Sequence, residues 1–469
     1  MAALHELDAA ALHRAYRDGG LSPVDVARDV LEHIERHEPQ LHAAWALDAD
    51  GALAMARQSE ARWLQGQSLG LLDGVPVTIK ENIATRGVPV PLGTAATELV
   101  PAAEDAPPAA RLREAGAVFI CKTTMPDYGM LSSGLSSFHA QHGGLTRNHW
   151  DLSRNPGGSS AGAGAAAAAG YGPLHLGTDI GGSIRLPAAW CGVVGMKPSA
   201  GRVPIKPPYL GRVAGPMTRT VADAAALMSV LSLPDDRDAT RLPYQALDWL
   251  APGDAGAVRG LRVGLMLDAG WGLPVDAEVR DAVATAARTF EAAGAIVEPL
   301  QPFITRAMAD SMDRFWRCRS WIDISAMSAE RQAKVLPYIL EWARGGAGLS
   351  GEQVFSAYSQ MAVIRDATVA ACRPFDFVLS PTAPVVSFPA EWAGPTNDPA
   401  RPLEHIGFTL PFNMSEQPAS SINCGFTKGG LPIGLQIAGA RFDDLGVLQM
   451  SRAWEQIRPA QRAWPVPSA

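Results

Sequence analysis

Two serines with glycine neighbours and one lysine at the end of an apolar stretch are the residues of this 469-residue chain best suited to chemistry. Ser159 and Ser183 each follow two glycines, and Lys80 follows the mainly apolar residues 75–79. Glycines let backbone N–H groups crowd together, as a site that binds an oxyanion requires. Burial of a lysine favours its neutral form, which can accept a proton. The pattern therefore predicts nucleophilic catalysis by a serine with an amine as the base.

The elements expected around the two serines would bring them together. A helix is predicted over the alanine-rich residues 160–170, and a strand is predicted over residues 173–179. The helix would advance about 16 Å along its axis, and the strand would return about 23 Å. Ser159 and Ser183 could therefore share one site although 24 positions separate them in the sequence.

Two other glycine patterns offer alternative chemistry. Residues 158–162 match G-x-S-x-G with Ser160 in the centre, which is typical of serine esterases that use a histidine base. No strand character precedes this segment, and His405 is the one histidine after residue 175. Residues 162–167 imitate a dinucleotide-binding fingerprint, again without a preceding strand. A histidine-dependent esterase and a nucleotide-binding protein therefore remain alternative functions. If Ser160 is not a nucleophile, we expect it only to cap the alanine-rich helix.

Composition limits the class of protein. The chain is 47% hydrophobic and 19% charged, which predicts a globular protein with a large core. The net charge of −7 and the absence of a long basic stretch argue against nucleic acid as a partner. No apolar run of about 18 residues occurs, so no membrane partner is expected. Charged residues near the start of the chain leave no room for a signal peptide, and we expect a cytoplasmic protein.

The cysteines and histidines are not arranged as metal ligands. The five cysteines are widely spaced without a C-x-x-C pair, which argues against a zinc knuckle or a disulfide framework. No H-E-x-x-H occurs, and the close pair His139 and His142 has no carboxylate beside it in the sequence. We expect no metal and no other cofactor.

Strand and helix patterns alternate after the first 65 residues, which predicts an α/β core. We find no internal repeat and expect one domain over residues 1–469. Its expected parts are an N-terminal helical arm (1–65), a catalytic core (66–245), an inserted or peripheral helical region (246–374) and a return to the core sheet (375–469).

The longest motif resembles the amidase signature family. It runs from Gly157-Gly-Ser-Ser-Ala-Gly through Gly177-Thr-Asp-Ile-Gly-Gly-Ser-Ile-Arg to Gly192-Val-Val-Gly-Met-Lys-Pro-Ser. Four further segments also match the family: Asp73-Gly-Val-Pro-Val-Thr-Ile-Lys80, Gly215-Pro-Met-Thr-Arg-Thr, Ser380-Pro-Thr-Ala-Pro384 and Gly430-Leu-Pro-Ile-Gly-Leu-Gln436. The resemblance covers nearly the whole chain.

The resemblance implies a single α/β/α domain around a central mixed sheet and a Ser–cis-Ser–Lys triad. On matching positions, Ser183 is the nucleophile, Ser159 is the bridging serine on a cis peptide after Gly158, and Lys80 is the base. An ordinary lysine is protonated at pH 7, but desolvation can lower its pKa enough for base catalysis. A serine hydroxyl can relay the proton because it donates and accepts at once.

The resemblance also implies supporting residues. The backbone N–H groups expected at the oxyanion are those of Ile180, Gly181, Gly182 and Ser183. Ser132 would hold Lys80 in place. Asp179 and Arg185 flank the nucleophile and are expected to form a structural ion pair that fixes the glycine loop.

The expected reaction is hydrolysis of a small hydrophobic or aryl amide to an acid plus ammonia or an amine. The aromatic and methionine side chains between residues 303 and 330 predict an apolar pocket. The candidate pocket residues are Met130, Trp316, Cys318, Trp321 and Arg365. Arg365 aligns with an arginine that holds the carboxylate of glutamine in the amidotransferase branch of the family. The main alternative is therefore the A subunit of a glutamine-dependent tRNA amidotransferase. We expect a small-molecule amide as partner, and a homo-oligomer is compatible with the sequence.

Overall fold

The computed structural model describes residues 3–251 and 253–465. Over these residues the chain forms one mixed sheet of eleven strands. The strands are β1 (Ala44–Trp45), β2 (Pro76–Lys80), β3 (Val118–Thr123), β4 (Leu174–Asp179), β5 (Val194–Lys197), β6 (Val213–Thr218), β7 (Arg262–Leu265), β8 (Ile296–Pro299), β9 (Phe377–Pro381), β10 (Ala419–Phe426) and β11 (Pro432–Gly439). Their order across the sheet is β1-β3-β2-β4-β6-β5-β10-β11-β9-β7-β8.

Parallel and antiparallel pairs both occur in this sheet. Strands β3, β2 and β4 are parallel neighbours, as are β9, β7 and β8, and the other neighbours are antiparallel. Every residue of β2, β3 and β4 is buried, which requires helices on both faces of the sheet. The predicted α/β fold around a mixed sheet is therefore confirmed.

Fourteen α-helices occur in the part of the chain that the structure describes. They are α1 (Ala9–Arg17), α2 (Pro23–Leu41), α3 (Ala49–Leu64), α4 (Pro107–Glu114), α5 (Ala161–Ala169), α6 (Arg185–Cys191), α7 (Val221–Leu231), α8 (Ala277–Ala292), α9 (Arg306–Ser325), α10 (Ala329–Gln332), α11 (Pro337–Arg344), α12 (Gly351–Cys372), α13 (Leu410–Met414) and α14 (Asp444–Ile457). None of the described helices is long and apolar enough to span a bilayer.

The outer segments of the chain also join the sheet. In segment 1–65, the helices α1 to α3 are accompanied by the two-residue strand β1, which pairs with β3. In segment 246–374, the strands β7 and β8 extend the sheet beyond β9, and the helices α8 to α12 accompany them. The expected N-terminal helical arm and the expected helical region 246–374 therefore also contain three strands, β1, β7 and β8. The limits of the four expected parts of the chain stay predictions.

The parallel pairing of β2 with β4 fixes the position of the candidate residues. Lys80 ends β2 and Asp179 ends β4, so both lie at the carboxyl ends of neighbouring parallel strands in the interior of the sheet. Helix α5 begins at Ala161, directly after the two serines 159 and 160, and it packs closely on the sheet. A Cβ atom on Gly162 of α5 would lie 2.1 Å from the carbonyl oxygen of Ala43, so only glycine fits there.

Candidate active site

Lys80 is fully buried and is surrounded by hydroxyl groups. Its Nζ atom lies 2.8 Å from Ser159 Oγ, 3.0 Å from Ser160 Oγ and 2.9 Å from Thr178 Oγ1. The sequence motif predicts the contact with Ser159. The contacts with Ser160 and Thr178 depend on the pairing of β2 with β4 and on the start of α5, and no sequence signal marks them.

The three hydroxyls around Lys80 have different roles. Ser160 donates its one hydrogen to the Thr178 carbonyl at 3.1 Å, so Ser160 can only accept from Lys80. Thr178 Oγ1 also accepts from the side-chain amide of Asn82. Ser159 Oγ has no hydrogen-bond partner other than Lys80 within residues 3–251 and 253–465. The hydroxyl of Ser159 is therefore free to donate to the lone pair of a neutral lysine.

The surroundings of Lys80 favour that neutral form. Burial, followed by the positive charge of Arg212, lowers the pKa of Lys80 well below its usual value. The negative charges of Asp179 and Glu81 act in the opposite direction and are too weak to reverse the effect. Lys80 is therefore suited to accept a proton near neutral pH.

Ser159 follows a cis peptide bond between it and Gly158. A Cβ atom on Gly158 would lie 2.5 Å from the backbone nitrogen of Ser133, so glycine lets the two segments meet. Ser132, the neighbour of Ser133, makes no hydrogen bond to Lys80, whose hydrogen-bond partners are the three hydroxyls named above. The prediction that Ser132 holds Lys80 is wrong, and Ser132 instead lines a small cavity.

A buried ion pair fixes the loop that carries Ser183. Asp179 and Arg185 are both fully buried, and two Arg185 nitrogens lie 3.0 Å from the carboxylate oxygens. Burial alone would raise the pKa of Asp179, but the Arg185 guanidinium lowers that pKa below its usual range. The carboxylate also accepts from the backbone N–H groups of Gly182 and Ile184. The predicted ion pair is present, and it holds the loop on both sides of Ser183.

One of the four N–H groups predicted to bind an oxyanion already has a partner. The N–H group of Gly182 donates to Asp179 at 2.8 Å and is therefore not free for an oxyanion. In the described parts of the chain, the N–H groups of Ile180, Gly181 and Ser183 have no hydrogen-bond partner. Gly182 has a φ angle of 127°, and its Cβ would lie 2.6 Å from Thr409 Oγ1, so glycine is needed for this turn.

Ser183 lines both a larger and a smaller cavity. The larger, which we call the main cavity, has a volume of about 490 Å³, and both Ser159 and Ser183 line it. The smaller, which we call the side cavity, has a volume of about 50 Å³ and is lined by Ser183, Met130 and Trp316, among others. Met130 lines both cavities, so the structure brings two of the predicted pocket residues, Met130 and Trp316, close to Ser183.

The other predicted pocket residues line neither cavity. Helix α9 turns Trp316, Arg319 and Asp323 towards the cavities, a spacing of three to four residues that defines one helix face. Cys318 and Trp321 lie on the same helix but outside this face. Arg365 lies on α12, where its guanidinium binds the Glu416 carboxylate at 2.7 Å. The assignments of Cys318, Trp321 and Arg365 to the pocket are therefore wrong.

The structure gives Ser160 no histidine partner. Ser160 precedes α5, yet its side chain binds Lys80 and the Thr178 backbone and does not cap the helix. His405 is buried next to Trp190, and within the described residues neither of its ring nitrogens has a hydrogen-bond partner. The capping prediction is wrong, and the arrangement of a histidine-dependent esterase is not formed.

The described residues contain no candidate metal centre. Among residues 3–251 and 253–465, no three His, Cys, Asp or Glu side chains lie close enough together to hold a metal ion.

Comparison with known proteins agrees with this geometry. The family model described as Amidase matches residues 25–448. The A subunit of the glutamyl-tRNA(Gln) amidotransferase of Myxococcus xanthus is 36% identical over 93% of this chain and 94% of that protein. The protein of the same name from Chloroflexus aggregans is 33% identical over 97% of each chain.

Solved structures with the same fold include amide-cleaving enzymes. A bacterial aryl acylamidase of the amidase signature family superimposes with a TM-score of 0.88, 31% identity and 97% coverage of each chain. The peptide amidase of Stenotrophomonas maltophilia gives a TM-score of 0.83, 28% identity and 98% coverage of each chain. The family model, the curated relatives and these structures agree, and the chain therefore belongs to the amidase signature family of amide hydrolases.

Proposed function

We propose that this enzyme cleaves its amide through a covalent acyl-enzyme on Ser183. Ser183 Oγ attacks the carbonyl carbon and passes its proton to Ser159, which passes its own proton to Lys80. The free N–H groups of Ile180, Gly181 and Ser183 would stabilise the oxyanion of the tetrahedral intermediate.

The second half of the cycle returns the proton. When the C–N bond breaks, protonated Lys80 gives its proton through Ser159 to the departing amine or ammonia. Water then attacks the ester on Ser183 by the same relay, the acid leaves, and the serine recovers its hydrogen. Each step conserves protons, and none requires a metal or a redox cofactor.

The observation that carries this proposal is the contact of buried Lys80 with Ser159, which lines the same cavity as Ser183. No hydrogen bond joins the hydroxyls of Ser159 and Ser183 in the described structure. Catalytic hydrogen bonds often tighten only when substrate binds, and the shared cavity gives the two hydroxyls room to do so.

The rate of amide hydrolysis is expected to rise with pH and then level off. Only neutral Lys80 accepts a proton, and its pKa lies well below that of a free lysine, so the active form increases as pH rises through this lowered pKa. The measurement is kcat/KM for an uncharged amide between pH 5 and 10. A rate that falls over the lower half of this range would contradict a lysine base.

We further propose that the substrate presents a small hydrophobic or aryl group to the side cavity. Trp316 approaches the nucleophile loop closely, since a Cβ on Gly181 would lie 3.4 Å from its ring. Trp342 and Ile406 complete an apolar wall. Similarity to an aryl acylamidase supports this choice.

The isolated chain is expected to hydrolyse an aryl amide such as acetanilide faster than glutamine. Glutamine has no aryl or other apolar group to place against the apolar wall of the side cavity, whereas the ring of acetanilide fits it. Trp316→Ala should raise KM for the aryl amide roughly tenfold because an apolar contact is lost. Trp321→Ala, on the same helix but outside both cavities, is the matched control. Equal effects of the two variants, or better turnover of glutamine, would overturn this substrate assignment.

A second candidate is the A subunit of a glutamine-dependent tRNA amidotransferase. It is favoured by the relatives of that name, which match almost the whole chain. Activity that appears only when a second protein chain is added would support it. A cytoplasmic location and a homo-oligomer stay predictions.

A further inference from the structure

Two arginines in the main cavity have no acidic partner. Arg212, just before β6, and Arg319, on α9, are half-buried and line the cavity together with Ser183. Neither forms an ion pair with a carboxylate in residues 3–251 or 253–465. Arg212 has only a long contact of 3.5 Å with the Pro207 carbonyl, and Arg319 lies 4.3 Å from the ring centre of Tyr209.

The other charged side chains of the cavity do not neutralise Arg212 and Arg319. Lys206 at the rim is paired with Glu104 at 2.7 Å, and Asp179 is paired with Arg185. Asp323 is exposed, lies one turn after Arg319 on α9 and is not within ion-pair distance of a described basic group. The unpaired charges that remain are therefore two guanidinium groups and one exposed carboxylate.

The two guanidinium groups also repel each other. Desolvation, followed by the positive charge of Arg319, lowers the pKa of Arg212. An arginine stays charged under these conditions, so the cavity carries the cost of two like charges that no described carboxylate pairs with. A bound anion would remove this cost and replace the water that solvates the two groups.

A neutral donor lies beside them. Tyr209 lines the cavity below Arg319, and its hydroxyl is buried without a hydrogen-bond partner in the described structure. Burial raises the pKa of Tyr209, so the hydroxyl keeps its proton. A buried donor with no partner is costly unless a ligand accepts its hydrogen bond.

We propose that Arg212, Arg319 and Tyr209 form a site for a carboxylate carried by the amide substrate. A guanidinium presents parallel N–H groups that match a carboxylate, whereas a neutral apolar group would leave both charges and the hydroxyl unsatisfied. Arg319 lines the main and the side cavities, so it lies where the two meet. The inference rests on the proposed function and specifies its substrate as an amide with both an apolar part and a remote carboxylate.

The first test compares each acid with its methyl ester in the wild-type enzyme. One pair, 4-acetamidobenzoate and its methyl ester, places the charge on the amine side of the amide. The other pair, N-phenylsuccinamate and its methyl ester, places it on the acyl side. In at least one pair the acid should be cleaved with a kcat/KM about 10- to 100-fold higher than the ester. Acids cleaved no faster than esters in both pairs would overturn the inference.

Variants test which residues cause the preference for the acid over its methyl ester. Arg212→Gln and Arg319→Gln should each lower the acid-to-ester ratio about tenfold or more, and Asp323→Asn should raise it by removing a competing negative charge. Arg314→Gln removes the same charge from an exposed position of α9 that lines neither cavity, and it should leave the ratio unchanged. A ratio that responds to Arg314 as it does to Arg319, or to neither arginine of the cavity, would contradict the site.

Binding to an inactive variant separates this inference from the proposed function. In Ser183→Ala, calorimetry should give tighter binding of the preferred acid than of its ester. If the wild-type enzyme cleaved none of these amides while the acid still bound more tightly, the reaction proposal would fail and the carboxylate site would stand. If the acid and its ester were cleaved at equal rates and bound with equal affinities, the proposed triad would stand and the carboxylate site would be refuted.

Discussion

Ser183→Ala and Lys80→Ala should each lower kcat/KM for amide hydrolysis by about 10⁴-fold or more, because in the proposed mechanism the first lacks the nucleophile and the second lacks the base. The double variant should be little worse than either single variant, since residues that act as one unit do not contribute additively. His405→Ala is the control for a histidine base and should keep most of its activity per folded molecule.

A covalent probe gives an independent readout of the same prediction. A fluorophosphonate should form a bond between its phosphorus and Ser183 Oγ with loss of fluoride, and mass spectrometry should locate the adduct there. Lys80→Ala should slow this labelling. An adduct on Ser160, or full activity in Lys80→Ala with loss in His405→Ala, would favour the histidine-dependent esterase instead.

Arg185→Met should be among the most destabilising single changes near the site. It leaves the buried carboxylate of Asp179 without its positive partner, and breaking one side of a buried ion pair costs about 3–5 kcal/mol of unfolding free energy. The carboxylate also holds the N–H groups of Gly182 and Ile184, so the nucleophile loop should shift and activity should fall. Urea denaturation followed by fluorescence measures the change.

Two further variants make this prediction specific. In the double variant Asp179→Asn with Arg185→Met, no unpaired charge remains, and part of the lost stability should return. Lys206→Gln breaks an exposed pair with Glu104 and should change stability little. A double variant no more stable than Arg185→Met would argue against an uncompensated charge as the cause.

The contact of Lys80 with Ser159 could be predicted from the sequence because Ser159 lies in one long motif and Lys80 lies at a strand end. The contacts of Lys80 with Ser160 and Thr178 could not, because they arise where β2 pairs with β4 and α5 begins. The local motif at Ser160 predicts a helix cap, whereas tertiary structure uses the hydroxyl for Lys80. Here a contact across the sheet outweighs a local preference.

The main cavity is the least predictable part of the candidate site. Its walls come from segments distant in sequence, such as Arg212 beside β6 and Arg319 on α9. Composition between residues 303 and 330 predicts an apolar wall, but only one face of α9 reaches the cavities, and that face carries Arg319 and Asp323 as well as Trp316. Arg365 is assigned to the pocket because it aligns with a family arginine. In the structure its guanidinium binds Glu416 away from both cavities, so that assignment fails.

The two outer strands of the sheet have a consequence for self-association. An open sheet edge can template growth by backbone pairing with another molecule. Here one edge is β1, only two residues long, and the other is β8, which is four residues long and ends at Pro299, a residue without an N–H group. Glu298 of β8 adds a charge paired with Arg262. Both edges are poor templates, so copies of this chain that assemble should meet through helical surfaces and not through a continuous intermolecular sheet.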